Sequence, residues 1–137
     1  MKNYKTAYRV YYEDTDAGGV VYYGNYLKFA ERARTDFLRV SGLNQYELAK
    51  ETGLFFVVRN VNIDYSSPGR LDDIITVDCN VIEVGRTSVT MTQDFYNQNN
   101  IALAKMKVQI VCVQNVDGKK IKSAAMPDVM KKFFSED

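Results

Sequence analysis

Asp14 and Asp16, followed closely by Gly18 and Gly19, are the side chains best placed by type and spacing to do chemistry in this chain. Ahead of them residues 8–12 read as a short strand. Behind them Tyr26, Phe29, Ala30, Ala33, Phe37 and Val40 recur at helical spacing from a start at Gly24 and Asn25, so the pattern predicts a strand-loop-helix junction. The first N–H groups of a helix are unpaired and favour a nearby anion by about 0.3–1 kcal/mol. A carboxylate held beside them faces a ready site for a developing oxyanion. Asp14 suits a loop-ordering role. Asp16 directly precedes Ala17, Gly18 and Gly19, where backbone can pass close to a ligand, and is the better candidate for chemistry.

The composition removes many alternatives. None of the 137 residues is histidine, so no Ser-His-Asp or Cys-His triad and no histidine-based metal site can be built. Cys79 shares parity with Ile75, Val77 and Val81, and Cys112 with Met106, Val108 and Ile110; both read as small buried hydrophobes. The polar start, residues 1–8, lacks the apolar run of a secretory signal, which points to a reducing, cytoplasmic setting. No segment approaches the roughly 18 apolar residues of a membrane span. A formal charge of +1 argues against nucleic acid as the main partner.

Without a linker, repeat or low-complexity block, residues 1–137 read as a single domain. A helix is expected over 25–41, stopped by Gly42, and a shorter one over 45–51, ending near Gly53. The period then changes: 55–65, 74–84, 87–96 and 101–116 alternate as strands, with turns at Gly85 and at 97–100. A terminal helix is expected over 126–134. This describes an α+β fold, an antiparallel sheet of five or six strands curled around one long helix. Lys28, Arg32, Thr35, Asp36 and Arg39 form that helix's solvated face, while Glu31 suits either an ion pair with Lys28 or Arg34 or a subunit interface. Arg59 shares parity with Val57, Val61 and Ile63, which requires a bulge or an interface there.

The run Val10, Tyr11, Tyr12, Glu13, Asp14, Thr15, Asp16, Ala17, Gly18, Gly19, Val20, Val21, Tyr22, with Asn25, Tyr26 and Glu31 to Arg34 after it, resembles the hotdog-fold acyl-CoA thioesterases. The likeness is to the 4-hydroxybenzoyl-CoA thioesterase-like group, especially the bacterial branch associated with the Tol-Pal envelope system. Looser matches run from Asp64 through Pro68 to Asp73 and over Gly85 to Ser88, so the resemblance spans nearly the whole chain. It implies the helix-wrapped sheet inferred above and makes Asp16 the catalytic carboxylate, as nucleophile or as activator of water. It also implies that backbone N–H around Tyr23 and Gly24 polarises the thioester carbonyl, and puts Tyr12 near the acyl group; packing in the sheet is the other role open to Tyr12. A carboxylate is ionised at neutral pH without a histidine to deprotonate it. Tyr23 is a departure, because the Tol-Pal branch commonly carries histidine there, whereas the 4-hydroxybenzoyl-CoA enzymes carry tyrosine.

Coenzyme A, present only as part of the substrate and with no other cofactor implied, needs cations for its phosphates. Arg59, Arg70, Arg86, Lys119 and Lys120 are available near strand ends, and Arg86, Thr87 and Ser88 form the preferred cluster. The resemblance further implies a homodimer or homotetramer with sites between protomers, and allows acyl carrier protein in place of coenzyme A. A hotdog dehydratase would need the missing histidine. A non-catalytic acyl-CoA or acyl carrier protein binding module of an envelope-associated complex is the alternative reading.

Overall fold

The apolar stripe of the first half and the alternating runs of the second can be buried only against one another. The computed structural model, which describes residues 2–118 and 120–136, shows that arrangement. Strands β1 (Asn3–Arg9), β2 (Leu54–Tyr65), β3 (Ile74–Val84), β4 (Ser88–Tyr96), β5 (Ala102–Val116) and β6 (Lys120–Ser123) form one sheet. Its order is β1-β3-β4-β5-β2, with β6 extending β5, and every neighbouring pair is antiparallel. Helix α1 (Asn25–Val40) buries Tyr26, Phe29, Ala30, Ala33, Phe37 and Leu38 against this sheet. The two alanines permit close approach, and aromatic rings fill the space beside them: Tyr26 meets Phe95 edge-on at 5.3 Å, and Phe37 stacks on Tyr4 at 5.4 Å. Helices α2 (Gln45–Thr52) and α3 (Asp128–Ser135) flank this core.

The architecture is the hotdog arrangement expected, with several local differences. The first strand is Asn3–Arg9 rather than 8–12. Its ladder with β3 runs out at the pair Arg9 and Ile74, and the Asp14 carboxylate then accepts from Tyr11 N–H, closing a 3-10 turn over Tyr12–Asp14. Val40 is 63% exposed because the stripe turns off the sheet in the last turn, where Leu38 is buried instead. Asp36 is not purely solvated: the Tyr8 hydroxyl donates to it at 2.5 Å, fastening β1 to α1. The short strand β6 was not anticipated.

Gln93 is fully buried and joins sheet to helix. Its amide donates to Ala30 O at 2.9 Å and to Cys79 Sγ at 3.2 Å, while Oε1 accepts from Arg34 at 2.8 Å. Cys79 and Cys112 are buried, as their parity predicts. Burial pushes the Cys79 thiol up to about 11 from an ordinary value of 9.0. A raised folded value favours the neutral thiol, so its contribution is complete below about pH 9 and lost as pH rises toward 11, about 2–3 kcal/mol in all. Denaturant midpoints measured from about pH 8 to 10 should therefore fall less steeply for Cys79→Ala than for the wild type; an identical slope would contradict this assignment.

Candidate active site

The loop that carries Asp14 and Asp16 is a miniature hairpin. Asp16 N–H donates to Val20 O at 2.9 Å, Thr15 bridges Val21, and Tyr22 N–H donates to Asp14 O at 2.9 Å. Gly19 closes the turn at φ +76°, a conformation glycine adopts without strain. Gly18 N–H donates to Asp16 Oδ1 at 2.8 Å, which fixes the rotamer of an otherwise exposed carboxylate. The hairpin then docks on the segment before β3: Val21 N–H donates to Gly69 O at 2.8 Å and Val20 bridges Arg70. A Cβ on Gly69 would lie 3.0 Å from Val21 Cγ2 and 3.1 Å from the Tyr26 hydroxyl, so this approach needs glycine.

Beneath the hairpin Asp14 is 5% exposed and fully engaged, as a loop-ordering acid should be. One carboxylate oxygen accepts from Tyr11 N–H at 2.8 Å and the other from the Asn25 side chain at 2.6 Å. Gly24 is the cap residue of helix α1, which has no side-chain cap. Asn25 N–H donates to Tyr22 O, but among the described residues neither the Tyr23 nor the Gly24 N–H has an acceptor. Two donors at a positive helix end thus follow directly on the hairpin that carries Asp16.

Beside them lies an open hollow of about 300 Å³ walled by Val21, Tyr23, Tyr26, Tyr65, Ser66 and Pro68. The Tyr65 hydroxyl donates to Tyr23 O at 2.9 Å, and the Tyr26 hydroxyl accepts from Gly69 N–H at 3.2 Å. Burial raises both phenols above their ordinary range, so each keeps its proton at neutral pH. The Tyr22 phenol is also raised, chiefly by its hydrogen bond with Tyr23. Tyr26 is expected from sequence as a core residue, and neither it nor Tyr65 or the serines carries an expected site role, although Tyr65 to Pro68 sits at the visible end of an alternating run. Tyr12 is 80% exposed on the 3-10 turn and packs in no sheet.

The proposed phosphate contacts fall in separate places. Arg70 is exposed beside the hairpin, its N–H donating to Asp73. Arg59 is exposed at the bulge its parity required, between Val58 and Asn60. Glu31 is exposed, and no ion pair joins it to Lys28 or Arg34 among the described residues. Arg86, Thr87 and Ser88 lie at the far end of β3 from the hairpin. With 11 residues in that strand, the separation is roughly 30 Å at about 3.3 Å per residue. Lys119 lies outside the described residues, and Lys120 is exposed at the start of β6.

A curled antiparallel sheet on one long helix defines a hotdog protein, and the carboxylate hairpin at the start of that helix is its candidate site. Residues 18–104, more than half of the chain, match the thioesterase superfamily, and the chain belongs to that family. It is 44% identical over 126 residues to the acyl-CoA thioesterase YbgC of Haemophilus influenzae, covering 92% of this chain and 90% of the relative. It is likewise 44% identical over 119 residues to the acyl-CoA thioester hydrolase YbgC of Escherichia coli O157:H7, covering 87% and 86%. The fold matches a 4-hydroxybenzoyl CoA thioesterase variant complexed with 4-hydroxybenzoyl CoA at a TM-score of 0.89 and 18% identity, covering 98% of this chain and 100% of that one.

Proposed function

We infer that this protein hydrolyses an acyl-CoA thioester to a free carboxylic acid and coenzyme A. The observation that carries the reading is the juxtaposition in one loop of an oriented Asp16 carboxylate and the Tyr23 and Gly24 N–H groups, which have no acceptor among the described residues. The acyl group occupies the hollow beside Tyr23 and its carbonyl oxygen accepts from those N–H groups. Asp16 either attacks the carbonyl carbon, giving an anhydride that water then cleaves, or takes a proton from the attacking water. In both routes the C–S bond breaks and its electron pair leaves on sulfur. A thiolate is a stable leaving group near neutral pH, so the reaction needs no metal or redox group. Thiol release from short-chain, long-chain and aromatic acyl-CoA esters tests the activity and identifies the acyl class; the same panel on acyl carrier protein tests the carrier. The reading includes a single catalytic domain working in the cytoplasm.

The second part of the proposal is a homodimer, paired through β2, as the least assembly with complete sites; a tetramer would be two such dimers. Three features support β2 as the edge used. It is 12 residues long, it leaves Val58, Val61 and Tyr65 exposed, and its far end adjoins the Tyr23 hollow. The opposite edge, β1, is short and carries Lys5 and Arg9, which discourage pairing. Antiparallel pairing of two β2 strands sets the hairpin end of one copy against the Arg86 end of the other, spanning the roughly 30 Å gap. Arg59, in the middle of the edge, then faces the partner. Co-expressing Asp16→Asn with Arg86→Ala should therefore give hybrids with one intact site, regaining about a quarter of wild-type activity at low substrate. Activity no greater than the average of the two single variants would exclude shared sites.

A further inference from the structure

We propose that Asn25 is a positioning residue for the thioester reaction, acting through Asp14 to lock the start of α1 against the hairpin that carries Asp16. This rests on the reading of Asp16 and the Tyr23 and Gly24 N–H groups given above. Asn25 occupies the first position of α1, where an asparagine one residue earlier would ordinarily cap the helix by accepting from its free N–H groups. Here the cap position is Gly24, and the Asn25 amide turns backward to donate to Asp14 Oδ1 at 2.6 Å. The helix therefore has no side-chain cap while its first residue is clamped in place.

The clamp closes on both sides of the loop. Asp14 Oδ2 accepts from Tyr11 N–H at 2.8 Å, fixing the entry to the hairpin. Asp14 O accepts from Tyr22 N–H at 2.9 Å, and Tyr22 O accepts from Asn25 N–H at 2.8 Å, fixing its exit. Asn25 is 4% exposed, so the bond to the buried carboxylate is shielded from water and from substrate alike. A buried carboxylate left without its donor costs more than the hydrogen bond itself contributes. Asn25 touches none of the reacting groups; it sets where the Tyr23 and Gly24 donors stand relative to Asp16. A displacement of about 1 Å between such groups is enough to cost about 100-fold in rate.

The test is a reciprocal exchange. Asn25→Asp places two carboxylates face to face, and Asp14→Asn leaves one amide oxygen to serve two donors; each should lower kcat about 10- to 100-fold with KM within about twofold. In the double variant Asp14→Asn/Asn25→Asp, the new amide at position 14 accepts from Tyr11 N–H through its oxygen and donates to the new carboxylate at position 25. That variant should recover kcat to within about threefold of wild type, a rescue that general loss of stability would not give. Folding is followed by circular dichroism, and if either single variant fails to fold, the milder Asn25→Ser supplies the kcat and KM comparison. Single variants with wild-type kcat, or a folded double variant no better than the single ones, would overturn the proposal. Asp16→Asn is assayed alongside: if it stays active, the site reading falls and this proposal with it, whereas an inactive Asp16→Asn beside a fully active Asn25→Asp overturns the positioning role alone.

Discussion

Asp16→Asn is expected to lower kcat by about 10²–10⁴-fold, the range that a positioned proton acceptor contributes, and more if Asp16 is itself the nucleophile. The substitution is nearly isosteric. Its Oδ1 can still accept from Gly18 N–H at the present 2.8 Å, and the hairpin bonds to Val20 and Gly19 run through backbone alone. The loop therefore keeps its shape, and the loss reports chemistry rather than folding. Binding of the acyl-CoA should persist, because the hollow beside Tyr23 and the cationic side chains are untouched. A folded Asp16→Asn protein that still releases thiol at the wild-type rate would remove Asp16 from the mechanism. Mass spectrometry after a single turnover in ¹⁸O-water identifies the nucleophilic route when label appears in Asp16, because only water opening an anhydride at the Asp16 carbonyl can put it there.

Gly24→Pro is expected to cost about 10²–10³-fold in kcat relative to Gly24→Ala, the loss typical of one deleted oxyanion donor. Gly24 has φ −68°, which a proline ring matches, and its N–H serves no hydrogen bond among the described residues. Proline thus removes a donor without breaking a helix bond, but as the third residue of the turn closed by Asn25 N–H and Tyr22 O it also disfavours the helical conformation of Tyr23, so the loss is assigned to the donor only where circular dichroism and KM match those of Gly24→Ala. Alanine is the necessary control, because any Cβ at this position would come within 2.9 Å of the Tyr22 ring, which must swing aside in both variants. Tyr22 is 48% exposed, and both variants share the loss of its ring contact with Tyr23. Equal kcat in the two variants would leave the Tyr23 N–H as the sole donor, and side-chain substitutions at Tyr23 would then change acyl preference without abolishing turnover.

The parts of this architecture legible in the sequence are those where period and burial agree. The stripe from Tyr26 to Phe37 and the alternation around Cys79 and Cys112 both mark positions facing one core, so α1 and strands β2 to β5 could be placed within a residue or two at their ends. The first strand was displaced because residues 8–12 have strong strand propensity, whereas the ladder ends where β3 begins at Ile74, a long-range fact no local pattern records. Strand β6 is four exposed residues with no apolar face to signal it. The junction itself was visible, since two acids, two glycines and a helix start are local features. Two things were not: that Asn25 turns back onto Asp14, and that Arg86 stands at the opposite end of the sheet from Asp16. Both depend on tertiary geometry, and the second leaves the proposed coenzyme A contacts divided within one chain.

The most direct test of the account is continuous measurement of thiol release from short-chain, long-chain and aromatic acyl-CoA esters by the purified protein, in parallel with Asp16→Asn. The account predicts turnover of at least one class by the wild type and its loss in the folded variant. Tight binding of these esters without release of thiol by either protein would contradict it and identify the chain as an acyl-CoA binding module on a thioesterase fold.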